Sequence, residues 1–156
     1  FFFFVLGGED PIDHVQREAL RSDQPIHPLL KRIMQIHVTE EARHLCFARH
    51  YLKRNVPKLG PVKRFVLSVR TPIILGVMAQ LMMQPSPRII RTYGIPKDVI
   101  REAYTRNPRH REKTIESIAK VRALCEELGL LTPFSKRIWK ALGIWGRRPA
   151  VSPAVA

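Results

Sequence analysis

The chain has 156 residues, 45% of them hydrophobic, with Lys+Arg 27 against Asp+Glu 13 and a formal net charge of +14. That length suits one domain, and that apolar share excludes a wholly disordered chain. A basic balance admits nucleic acid or an anionic membrane surface as partners. Here the charge is scattered over Lys-Arg pairs, Arg109 to Lys113 and Gly146 to Arg148, without aromatic interleaving. A solvated face, or compensation by an acidic part outside the chain, is the better reading, and no nucleic-acid partner is expected.

The chain opens on an apolar run, Phe1 to Leu6, with no capping residue and no basic region before it. A signal peptide needs that basic region and a small-residue cleavage site. The run reads as the middle of a buried element, so the chain is expected to be the C-terminal part of something longer. Cys46 and Cys125 lie in no paired motif. A reducing, cytoplasmic compartment is therefore expected. The longest apolar run, Thr71 to Met83, is shorter than the roughly 20 residues a bilayer needs. Arg70 and Pro72 interrupt any longer reading, so no membrane span is expected.

Phe1 to about Arg21 reads as a helix disturbed near Gly7-Gly8 and Pro11. Ser22 to Pro28 is a connector. Pro28 suits the first turn of the next helix, where its missing N–H costs nothing. That helix runs to about Asn55 and ends at Val56-Pro57. Val62 to Gln84 is a third helical segment that Pro72 is expected to kink or split. Pro85 to Arg88 breaks the chain. Lys97 to Arg106 is a short helix after Pro96. Pro108 to Leu128 is one longer helix, stopped by Gly129. Thr132 caps a last helix reaching about Leu142. No strand pattern competes, so the class is all-α. Residues 1–57 form a ligand-bearing helix pair, 58–145 the helices completing the same domain, and 146–156 a disordered tail.

The second helix has a seam stepping in fours and threes: Leu30, Met34, His37, Glu41, His44, Ala48, Tyr51. Such stepping marks an inward face. Its ends are mostly apolar, but its middle is His-Glu-His. An ionised Glu on a buried face is expensive unless paired or metal-bound. The first helix repeats the stepping with Phe2, Val5, Glu9, Ile12 and Gln16, again with a carboxylate at mid-height. Antiparallel packing through the short connector brings those heights together.

Glu41 and His44 form Glu-x-x-His, the pair that di-iron bundles use, with a lone Glu supplied from a neighbouring helix. A carboxylate can bridge two metals, and a His one turn away points to the same side. His37 adds a third donor on that face. Carboxylate and imidazole together suit iron or manganese. A lone Glu-x-x-His is common on surface helices; the seam positions and Glu9 raise this one above that background. Asp10 points about 100° away from Glu9, and is a fallback ligand if Pro11 distorts the helix. Asp13 is either an acceptor holding a ligand imidazole or a plain surface residue. His14, His27, His50 and His110 are expected to be solvated, and Cys46 a small packing residue.

With Glu9, Gln16-Arg17-Glu18, the run from Ile36 to His44, Tyr93 to Pro96 and the Trp139 helix, the chain resembles the para-aminobenzoate N-oxygenase (AurF-like) family of di-iron oxygenases. Its most specific part is His37-x-x-x-Glu41-x-x-His44. The resemblance covers nearly all of this chain but only the C-terminal half or so of a family member. It implies a ferritin-like bundle with two irons, manganese being the other metal considered, and Glu9, His37, Glu41 and His44 as ligands. It implies O2 and a small organic substrate, an aromatic amine oxidised at nitrogen, as partners, with an electron donor of unspecified kind. A full-length member is expected to be a homodimer. The family's other Glu and Glu-x-x-His have no counterpart here, so this chain alone is expected to be incomplete and inactive. Two other readings stand beside it. One is a di-iron or di-manganese oxidase or hydroxylase acting at carbon. The other is a basic helical interaction module without metal chemistry.

Overall fold

A computed structural model describes residues 1–146, and all regular elements among them are helical. The tail expected at 146–156 lies, apart from Gly146, outside the described residues. Helix α1 spans Phe2–Arg21 and α2 spans Pro28–Asn55. His27 caps α2, its Nδ1 accepting from the Leu29 N–H at 3.3 Å, and Pro28 fills the first turn. Helix α3 spans Pro61–Met83, α4 Pro87–Thr92, and α5 Lys97–Ile100, which runs on into a π-helical turn, Arg101–Thr105. Helices α6, Pro108–Ser117, α7, Ala119–Glu127, and α8, Pro133–Ala141, complete the order. Thr132 Oγ1 accepts from the Ser135 N–H at 3.1 Å and so starts α8 as its spacing predicts.

Three expectations need correction. Pro72 does not split the third segment: α3 is continuous through it, and Pro72 is buried. Pro108 to Leu128 is two helices, broken at Ile118. Ile118 is buried, and the Arg122 guanidinium reaches back across the break to the Ile115 carbonyl at 3.4 Å. Short α4, flanked by prolines, was not foreseen at all.

Helix α1 lies between α2 and α3. Phe2 meets Phe47 and Tyr51, Glu9 meets His44, and Gln16 meets His37, so α1 and α2 run antiparallel. On its other flank, Gly7 lets α3 come close: a Cβ there would meet Leu75 Cδ2 at 3.0 Å. That contact explains why α1 stays helical through Gly7-Gly8 and Pro11. Its apolar burial against two helices offsets the poor local propensity, about 1 kcal/mol for each Gly and about 3 for Pro. The core gathers Leu6, Leu45, Leu52, Leu75, Val121, Leu124, Leu130 and Trp139.

The run Pro61–Thr92 is, by length and composition, long and apolar enough to cross a membrane, and 33% of its most apolar stretch is buried. This corrects the reading that Arg70 and Pro72 confine the apolar stretch to Thr71 to Met83. The helix begins ten residues earlier than that run, so Arg70 and Pro72 lie inside it. Within the fold it packs on α1 and α8.

Candidate metal centre

Mid-way along the α1–α2 contact, Glu9, Glu41 and His44 converge, with one ligand-type atom of each lying within 4.8 Å of the others. His44 Nδ1 stands 3.5 Å from Glu41 Oε2 and 4.0 Å from Glu9 Oε1. On the far side of Glu41, His37 Nε2 stands 3.3 Å from Oε1. One carboxylate therefore faces an imidazole with each of its oxygens. His37 itself is held from behind, its Nδ1 lying 2.9 Å from Gln16 Oε1.

Burial is graded across the site. The Glu41 side chain is 12% exposed, Glu9 26% and His44 60%. Glu9 Oε2 and Glu41 Oε2 are buried without a hydrogen-bond partner. Two buried carboxylate oxygens without a hydrogen bond are costly, because each has lost water without a donor in its place. The cost appears in Glu9: burial first, then its contact with the Glu41 carboxyl, raises its pKa to about 7. A cation between these groups would relieve both penalties. Oxygen and imidazole nitrogen donors are the set that suits iron or manganese.

Asp10 takes no part. Its buried carboxylate pairs with Arg49 of α2, one residue beyond the Ala48 of the seam. Asp13 is not a surface residue, being 1% exposed. It accepts from Arg17 Nε at 2.8 Å, with Lys120 Nζ 3.6 Å away, and its partners are thus cations, not an imidazole. Of the histidines expected to be solvated, His50 is exposed and His27 is a helix cap. His110 is half-buried against the edge of Tyr104, and burial lowers its pKa. Cys46 is exposed rather than packed, beside His50. Arg49 and the role of Gln16 escaped sequence reasoning. Arg49 is one of several arginines on α2, with no spacing that marks it, and Gln16 stood on the seam without a partner.

Residues 1–129 match the family described as p-aminobenzoate N-oxygenase AurF. The chain belongs to that family. It is also 35% identical over 147 residues to uncharacterised proteins of Mycobacterium bovis and Mycobacterium tuberculosis. Those matches cover 94% of this chain and 43% of each relative, so the chain spans less than half the length of the relatives it matches. No solved structure matches it. Membership of the AurF family supports an all-α, ferritin-like fold and implies a di-iron centre. The Glu-His group between α1 and α2 fits that implication by its donor types and its unpartnered oxygens.

Proposed function

We propose that this chain supplies Glu9, His37, Glu41 and His44 to the two-iron centre of an oxygenase that transfers oxygen from O2 to a small organic substrate, an aromatic amine at nitrogen. The observation that carries the reading is the pair of buried, unpartnered oxygens on Glu9 and Glu41, set among imidazoles in an AurF-family chain. Bound iron would supply the reduction and activation of O2.

The residues present divide the remaining work. Glu41, with an oxygen toward each imidazole, would hold metal together with Glu9, His37 and His44. The two histidines bring neutral donors and limit the negative charge that two carboxylates create. Glu9 carries its proton up to about pH 7, so binding a cation there requires that proton to leave. Phe2, Val5 and Met34 stand on the same seams above and below the donors, and are half-buried, which keeps water from that side.

The outer side of α2 is open. His44 is more than half exposed, and Leu30, Ile33, Ile36 and Phe47 are exposed along the same helix. A di-iron bundle takes a further Glu and a further Glu-x-x-His from two more helices. In the proposed whole protein those helices cover this face and complete the centre.

The test uses the full-length protein, loaded anaerobically with Fe(II), analysed for metal, then exposed to O2 with an arylamine such as para-aminobenzoate. Two irons per chain and products oxidised at nitrogen support the reading. Products hydroxylated only at carbon would favour the oxidase or hydroxylase reading. A protein that takes up no iron would sink both.

A further inference from the structure

Gln16 lies two turns beyond Glu9 on α1 and faces α2. Its Oε1 is 2.9 Å from His37 Nδ1, while His37 Nε2 is 3.3 Å from Glu41 Oε1. The His37 side chain is 40% exposed, too open for packing alone to hold its ring. A neutral imidazole carries one N–H and one lone pair, and an amide oxygen can only accept. A neutral ring can serve only one of the two acceptors that face it, and the amide oxygen, at 2.9 Å, is closer to Nδ1 than Glu41 Oε1 is to Nε2; the proton on Nδ1 leaves the Nε2 lone pair for a metal beside Glu41. Around Gln16 the groove between α1 and α3, about 230 Å³, is lined by Pro11, Ile12, Val15, Met82 and Met83. None of these side chains offers the amide a competing polar partner.

The geometry points to Gln16 as the positioning residue that sets the tautomer and ring orientation of His37, so that Nε2 is presented as a metal donor beside Glu41. The inference rests on the two-iron reading for its purpose, but the hydrogen bond can be tested without metal. A ligand imidazole commonly donates its second N–H to a fixed acceptor, and loss of that acceptor weakens metal binding about 10–100-fold. Asp10 and Asp13 are engaged by Arg49 and Arg17, so Gln16 is the acceptor that reaches this ring.

The first arm is a long-range proton–nitrogen correlation spectrum of the metal-free, intact protein near pH 8, where an ordinary imidazole of pKa about 6.5 is neutral. His37 is expected in the Nδ1–H form. Gln16→Leu should release it to a mixture or to the Nε2–H form, and Gln16→Glu, which still accepts, should keep it. His37 in the Nε2–H form in the unsubstituted protein would overturn the inference, since the amide would then be donating. That spectrum decides the point even where Gln16→Leu does not fold. The second arm is cobalt(II) titration followed by visible absorption. Gln16→Leu should bind about 10–100-fold more weakly than the unsubstituted protein, with Gln16→Glu restoring most of the loss. Equal affinity in Gln16→Leu and the unsubstituted protein overturns the role of Gln16 alone. Failure of the unsubstituted protein to take up cobalt(II) or iron(II) overturns the metal reading instead.

Discussion

Arg49 of α2 pairs with Asp10 of α1, and this pair separates two adjacent carboxylates into different roles. Asp10 is drawn to the guanidinium, and Glu9, one residue earlier, is left to face Glu41 and His44. The Asp10 side chain is 0% exposed, so its charge depends on Arg49. Burial raises the Asp10 pKa, and the nearby Arg49 charge opposes that rise. Arg49→Ala should therefore destabilise the fold by about 3–5 kcal/mol, the usual cost of stranding a buried charge. Adding Asp10→Asn should recover much of that loss. Urea unfolding of the two variants checks this; equal stability of Arg49→Ala and the unsubstituted protein would refute it.

His44 and His50 offer a matched comparison. His44 stands among the carboxylates, whereas His50 Nδ1 lies 2.9 Å from the Cys46 carbonyl on the exposed side of α2. In the full-length protein His44→Ala should lower iron content and lower metal affinity by at least about 10-fold. His50→Ala should change neither. Metal analysis after anaerobic loading separates the two, and equal iron in His44→Ala and the unsubstituted protein would remove His44 from the site.

Glu9 predicts a pH dependence. Its folded pKa, about 7, lies above the ordinary value of 4.5. The folded state thus holds the proton more tightly than the unfolded state. The stability this contributes is present in full below the ordinary value and is lost as pH rises through about 7. Metal-free protein should become less stable than its Glu9→Gln variant across that window. Metal affinity should move the other way, rising with pH as the proton leaves. Thermal unfolding with and without cobalt(II), from acid to mildly alkaline pH, reads both trends. A stability difference between the two proteins that does not vary with pH would show that Glu9 is not so perturbed.

The open face of α2 predicts how residues 1–156 behave by themselves. On the proposed reading they supply four donors from two helices, where a di-iron bundle draws on four helices. They should bind iron weakly, show no turnover and self-associate through Leu30, Ile33, Ile36 and Phe47, which are exposed. Iron per chain together with molar mass by light scattering tests this. A soluble monomer holding two irons tightly would contradict it.

Periodicity is local, and so the sequence by itself determined the two long helices and the contact between their middles, but not the burial of the expected α2 seam, of which Leu30, His44 and Tyr51 are exposed. The steps from Phe2 to Gln16 and from Leu30 to Tyr51 need only the helical repeat to bring Glu9, Glu41 and His44 to one height. Pro28, Thr132 and Gly129 mark ends through backbone groups within a few residues, and those ends stand where the residues place them. Contacts between distant segments carry no such local signature. The continuity of α3 through Pro72 goes with burial of that proline and with the close approach of α3 to α1 at Gly7. The break at Ile118 depends on burial of that residue in the core and on Arg122 reaching the carbonyls of Ile115 and Ile144. Whether Glu9 or Asp10 faces the histidines was open in the sequence, because the residues adjoin and Pro11 follows. The tertiary structure decided it through Arg49, a cation on another helix that holds Asp10 away, and through Gln16, whose amide meets His37 only once α1 and α2 lie side by side.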